Sequence, residues 1–157
     1  MWEDEDDDEN DNDYDPEEER RKLEALPIYQ KALEIYDLTR RLTDTFDKDD
    51  QSNPFQEIML EDCTIIPAKI AGAEAMDDYI LKMENAVVIK IHAKSLLAQT
   101  SAIAYLTNID DAYIQLLRNE IEEFRLLFIK WVQSFEIDTT KEGDGWGLFI
   151  PDSDDEI

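Results

Sequence analysis

The sequence predicts an all-α protein, an antiparallel up-down four-helix bundle with acidic tails at both ends, and three observations carry that prediction. Apolar residues recur at steps of three and four through four separate stretches. No segment alternates apolar and polar residues for long enough to form a strand, and of the four glycines three lie beyond residue 142. The joints between the stretches are short, which makes consecutive helices antiparallel neighbours.

The first stretch, LPIYQKALEIYDLTRRLTDTF, places Tyr29, Leu33 and Tyr36 on one stripe and Ile28, Ile35 and Leu42 on the next, with Pro27 suited to a first helical turn. The polar run DKDDQSN ends it. Asn53 and Pro54 then read as the cap and first-turn proline of a second helix that extends to about Ala75. A third begins after MDD, with Tyr79, Met83, Ala86, Val87, Lys90 and Lys94 on overlapping spacings, and runs to about Leu106. TNIDD offers Asn108 or Asp110 as caps for a fourth. Its residues Ile114, Leu117, Ile121, Phe124, Phe128, Trp131 and Phe135 form an unbroken seam of the kind a bundle helix turns inward. Leu116, Leu127 and Val132 lie off that seam, and a second apolar strip implies a second surface to bury, which here predicts an oligomer.

Within the second helix, IIPAKIAGAEAM carries a proline. Pro67 has no amide hydrogen for the carbonyl of Cys63 and its ring crowds that oxygen, so a helix passing through it is expected to bend. Ala68, Ala71, Gly72 and Ala75 follow at helical spacing. This stripe of small residues would let another helix backbone approach closely, either inside the bundle or between subunits.

The formal charge of -25 is unevenly distributed. Residues 1–19 hold thirteen acids and no base, and residues 136–157 hold eight acids against Lys141, which leaves residues 20–135 near neutrality at -5. The expected organisation is therefore an acidic disordered tail over 1–22, the bundle over 23–136, and an acidic tail over 137–157. The first tail reads as a solubilising segment, or as a polyanion mimic for a basic partner or for a basic groove on the protein itself; Arg20, Arg21 and Lys22 stand next to it. The second tail is interrupted by GDGWGLFIP, whose Trp146, Leu148, Phe149 and Ile150 predict a docking segment. Cys63 is the only cysteine, which excludes an intrachain disulfide and suits a reducing compartment. With no secretory pattern at the start and with apolar runs broken by Lys90 and Lys94, a cytoplasmic protein is expected.

Between residues 26 and 135, four segments resemble a known bacterial family. They are PIYQKALEIYDLTRRL, IIPAKIAGAEA, YILKMENAVVIKIHAKSLLAQTSAIA and YIQLLRNEIEEFRLLFIKWVQSF, the most specific elements being Tyr29 to Ala32 and Ile66 to Ala71. The chain resembles the four-helix-bundle proteins encoded in intervening sequences of 23S ribosomal RNA genes, and with them the accessory variability determinant proteins of diversity-generating retroelements. The resemblance implies a homopentameric ring without enzymatic activity. Through the retroelement relatives it also implies association with nucleic acid and a reverse transcriptase.

Catalytic chemistry finds little support in the residues. A ferritin-like di-iron site needs paired Glu-x-x-His motifs, whereas His92 is the only histidine and Ile89 stands three residues before it. Glu120 with Glu123, and Glu74 with Asp77, have the i, i+3 spacing by which a nucleotide pyrophosphatase holds Mg²⁺, a spacing common in any acidic helix. Cys63 lies on the apolar approach to Pro67 and reads as an inert thiol. No catalytic, cofactor or metal residue is assigned. The positive set Lys69, Lys82, Lys90, Lys94, Arg118, Arg125 and Lys130 is spread over three helices, and the charge of five copies opposes a polyanion unless a local basic face survives. The expected function is that of a self-associating scaffold or adaptor, with attachment to a further protein through its acidic tails.

Overall fold

The alternating seam of the last helix, the apolar stripe of the first and the short joints between them set the architecture seen in the computed structural model, which describes residues 14–47 and 53–152. Among the described residues there are five helices and no strand: α1 Pro16–Ala25, α2 Pro27–Thr43, α3 Asn53–Glu74, α4 Tyr79–Leu106 and α5 Asp111–Gln133. α2 packs on α3 and α5, α3 on α4, and α4 on α5.

The core collects one stripe from each long helix. α2 contributes Ile28, Ala32, Ile35 and Leu42, and α3 contributes Met59, Cys63, Ile66, Ile70 and Ala73. From α4 come Ala86, Ile89, Leu96 and Ile103, and from α5 Ile114, Leu117, Ile121, Phe124 and Trp131. On α2 the Ile28 stripe faces inward, Tyr29 and Tyr36 are half-buried and Leu33 is exposed. The inward face of α4 differs from the one its spacing suggested, because Val87, Lys90 and Lys94 point outward. α4 carries apolar residues around most of its circumference, so periodicity does not select a face and the packing partners do.

Helix ends follow local chemistry. Asp78 caps α4 by accepting from the Leu81 amide at 3.0 Å, and of the two candidate caps for α5 it is Asp110 that accepts from Ala112. The last turns of α5 are tied to the rest of the chain by rings. Trp131 meets Phe135 edge-on at 4.8 Å, and the Trp131 indole donates to Glu74 of α3 at 2.7 Å. α3 is helical through the buried Pro67 and ends at Glu74.

A correction concerns the first tail. Residues 1–13 lie outside the described residues, but 16–25, partly assigned to a disordered tail by charge alone, form α1. Asp15 caps the helix, Pro16 occupies its first turn, and Glu17, Glu18 and Glu19 sit where the helix dipole favours acids. Arg20 pairs with Glu24 at 3.3 Å and Lys22 with Glu18 at 3.3 Å, both at the i, i+4 spacing that supports a helix. These three cations are thus satisfied within α1, with Arg21 3.8 Å from Asp15. Leu26, extended because a proline follows it, turns the chain into α2 while Leu23 and Leu26 rest against the core.

Gly72 is half-buried, and a Cβ built there would lie 3.6 Å from Asn85 Oδ1, an ordinary contact. Gly72→Ala should therefore raise stability by about 0.5–1 kcal/mol through helix propensity. Urea denaturation followed by circular dichroism checks this; a loss of stability would show a closer approach at Gly72 than this chain alone presents.

Candidate functional site

Four groupings bear on function, beginning with the carboxylate pairs. Glu120 and Glu123, one turn apart on α5, are both bound to the ammonium of Lys31 on α2, at 2.6 and 2.8 Å, and Glu34 completes the cluster at 2.7 Å. Lys31 is 15% exposed. Burial lowers its pKa, but hydrogen bonds to Glu120, Glu123 and Glu34 outweigh that and hold it above the usual lysine range. The Lys31 hydrogen bond in turn holds the Glu34 carboxyl below its ordinary value. A side-chain cation thus occupies the position a divalent ion would need. The other pair is divided: Glu74 accepts from Trp131, and Asp77 stands in the joint before α4. Among the described residues no group of three or more His, Cys, Asp or Glu is placed to hold a metal ion.

The second grouping went unseen in the sequence. Asp62 on α3 is 3% exposed, and its Oδ1 receives a hydrogen bond at 2.7 Å from Nδ1 of half-buried His92 on α4. Oδ2 of Asp62 has no hydrogen-bond partner among the described residues. The pair fixes the relative height of the two helices, since a buried carboxylate without its partner is costly. Next to it, Cys63 donates to the Leu60 carbonyl at 3.4 Å, and burial pushes its thiol up to about 11, which keeps it protonated and unreactive near neutrality.

Third, residues of α4 and α5 line a groove of about 340 Å³. Ala93 and Leu97 from α4 and Ile121, Phe124 and Phe128 from α5 give it an apolar lining. Lys90, Lys94, Arg118 and Arg125 border it, with Glu122 as the one acid. Arg118 is held by the hydroxyls of Thr100 and Ser101 at 2.8 and 2.9 Å, and Arg125 is paired with Glu122 at 2.6 Å. Four members of the scattered positive set thus meet in one place. Lys69 and Lys130 are exposed elsewhere on α3 and α5, and Lys82 lies over the Phe135 ring at 5.4 Å.

Fourth, the C-terminal apolar segment folds on itself. Asp152 Oδ1 accepts from the Gly145 amide at 2.8 Å and Asp144 Oδ1 from the Trp146 amide at 3.1 Å. Gly145 and Gly147 adopt positive φ, as does Phe149 at 68°. Ile150 lines a small cleft with Asp77, Tyr79 and Ile80, whereas Trp146 is 87% exposed and Leu148 and Phe149 also face solvent. Of the small-residue stripe beside buried Pro67, Ala68 and Ala75 are exposed and Ala71 and Gly72 half-buried.

No protein-family model matches the chain, and no curated protein matches it. No described helix is long and apolar enough to cross a membrane.

Lys31→Met should destabilise the fold by about 1–3 kcal/mol near pH 7, the range for charge-assisted hydrogen bonds. The lowered carboxyl of Glu34 contributes stability that is fully present above its unfolded value and is lost as pH falls through the folded one, and raised Lys31 contributes stability that is fully present below its unfolded value and is lost as pH rises through the folded one. The difference between wild type and Lys31→Met should therefore be largest between the ordinary glutamate value of 4.5 and the ordinary lysine value of 10.5, and shrink on acidification below the first and as pH rises above the second. Denaturant titrations across pH test both limbs; a difference independent of pH would mean the cluster contributes packing alone.

Proposed function

We propose that this protein is a non-enzymatic adaptor that assembles with copies of itself, its α2 to α5 forming an antiparallel four-helix bundle. Cross-helix pairings support the antiparallel arrangement. Asp62 meets His92 while the later Gly72 approaches the earlier Asn85, and Arg118 near the start of α5 meets Thr100 near the end of α4. Along α2 and α5, Lys31 meets Glu123 while the later Phe46 shares a cleft with the earlier Tyr113.

The observation that carries the assembly reading is the outward strip on α4. Val87, Ile91, Ala98 and Tyr105 are all exposed, and the last three fall seven residues apart, so they lie along one side of the helix. Tyr105 is 90% exposed. Lys94 stands among them at the same helical spacing, and exposed apolar residues mixed with a long cationic side chain are what subunit contacts of a highly charged chain use. Five copies is the stoichiometry implied by the resemblance to the intervening-sequence proteins. The exposed Trp146, presented on a loop braced by Asp144 and Asp152, is suited to anchor a further protein, because an aromatic held in place loses little entropy on binding. The engagement of Glu120 and Glu123 by Lys31 favours this reading over Mg²⁺-dependent nucleotide hydrolysis.

A second reading, association with nucleic acid or a reverse transcriptase, draws on Lys90, Lys94, Arg118 and Arg125 meeting in one groove. It requires salt-dependent binding of single-stranded RNA that is lost in Lys94→Glu.

Native mass spectrometry should give a species near five times 18.3 kDa. Ile91→Glu with Tyr105→Glu should convert it to monomer with unchanged helicity. A wild-type monomer at micromolar concentration overturns the assembly reading.

A further inference from the structure

Two surfaces of complementary character stand open on this chain. The α4–α5 groove is apolar within, where Leu97, Phe124 and Phe128 line it, and cationic around its border. Lys90 and Lys94 are exposed and form no ion pair with another described residue, and Arg118 is held by hydroxyls. The C-terminal loop has the opposite character. Residues 142–152 carry Glu142, Asp144 and Asp152 and no base, around the exposed apolar side chains of Trp146 and Leu148. The loop is already shaped for presentation, since Asp152 accepts from the Gly145 amide and Asp144 from the Trp146 amide, and Gly145 and Gly147 take the positive φ that the turn needs.

We propose that the loop of one copy docks into the α4–α5 groove of a second copy, with Trp146 set against Leu97, Phe124 and Phe128 and its neighbouring acids against Lys90, Lys94 and Arg118. This rests on the reading of the protein as self-assembling, and it makes a second copy the partner of Trp146. The groove, about 340 Å³, is at the small end of the about 300–1,000 Å³ of pockets that enclose compact ligands, which suits one or two inserted side chains. Indole there gains from apolar burial and from the cations beside its ring. Opposite charge on the two rims orients the chains and speeds their encounter.

Distance assigns the loop to another copy. Ile150 shares a cleft with Tyr79 at the start of α4, and Trp146, four residues earlier, lies at most about 14 Å along the chain from that anchor. Leu97 stands eighteen residues beyond Tyr79 on the same helix, about 27 Å away. The loop therefore falls short of the groove on its own chain. Each copy carries one groove and one loop at separate places, so the contact runs head to tail and can continue around a closed ring. It is distinct from the outward strip of α4, because Ala93 and Leu97 line the groove whereas Ile91 and Tyr105 do not.

The test unfolds equal amounts of unlabelled and isotope-labelled full-length protein together in urea, refolds them, and treats them with a carbodiimide, which joins carboxylates to lysines without a spacer. Mass spectrometry should find Lys90 or Lys94 joined to Glu142, Asp144 or Asp152 of a differently labelled chain, and high salt should reduce those links. By analytical ultracentrifugation, Trp146→Ala and Ala93→Glu should each weaken assembly at least about tenfold with unchanged helicity, as loss of a buried aromatic anchor does. Mixed together, the two variants should associate more tightly than either does with itself, because the first keeps its groove and the second its loop. Links of these lysines only to acids outside residues 142–152, or only within one chain, would overturn the proposal. If Trp146→Ala and Ala93→Glu assemble as the wild type does while Ile91→Glu with Tyr105→Glu is monomeric, loop docking is overturned and the assembly reading stands. A wild-type monomer overturns both.

Discussion

Burial of the α5 seam is the constraint on which the rest of the structure depends. Isolated helices of this length are marginal in water, so their persistence rests on the apolar face that each gives to its neighbours. Ile114, Leu117, Ile121, Phe124 and Trp131 lie on one side of α5, and α2 and α4 both pack against this helix. Trp131 extends its reach to α3 through Glu74. Residues that do not serve this burial are free to do other things: the outward strip of α4 is built from them, and the cations of the groove stand beside seam residues Ile121 and Phe124.

Polar groups set how the helices align once the apolar faces meet. Hydrophobic contact tolerates sliding by a turn, whereas Asp62 with His92 and Lys31 with Glu120 and Glu123 each satisfy their bonds at one relative height. Both arrangements place charge or strong polarity where solvent is scarce. Such groups penalise misalignment more than they add stability. The i, i+3 carboxylates on α5 belong to this alignment, which gives them a structural role without a metal ion.

Charge is organised at two scales. Summed over the chain it is strongly negative, which disfavours polyanions at long range. Within a few ångströms the order reverses at the α4–α5 groove, where Lys90, Lys94, Arg118 and Arg125 outnumber Glu122. Because screening acts within about 8–10 Å at ordinary salt, the local field rather than the net charge decides what binds there. An apolar lining then favours a ligand that is amphipathic over one that is only anionic.

The helical class, the bounds of α3 and α4 to within a residue, and the inward seam of α5 were legible in the sequence, because periodicity and caps are local, whereas α2 ends three residues before the Phe46 that its pattern suggested. α1 was legible too, in Asp15, Pro16 and the i, i+4 pairs that follow, but a net-charge argument hides pairing between neighbours. The inward face of α4 was not, since a helix apolar nearly all round leaves the choice to its partners. Nor were the groupings of the candidate site that join different helices. Lys31 is 89 residues from Glu120 and Asp62 is 30 from His92. The four cations of the groove come from two helices, at positions whose spacing carries no mark of their meeting. Local physics fixes which residues a helix contains and which of its sides is apolar; only the packing of one helix on another decides which charges stand together.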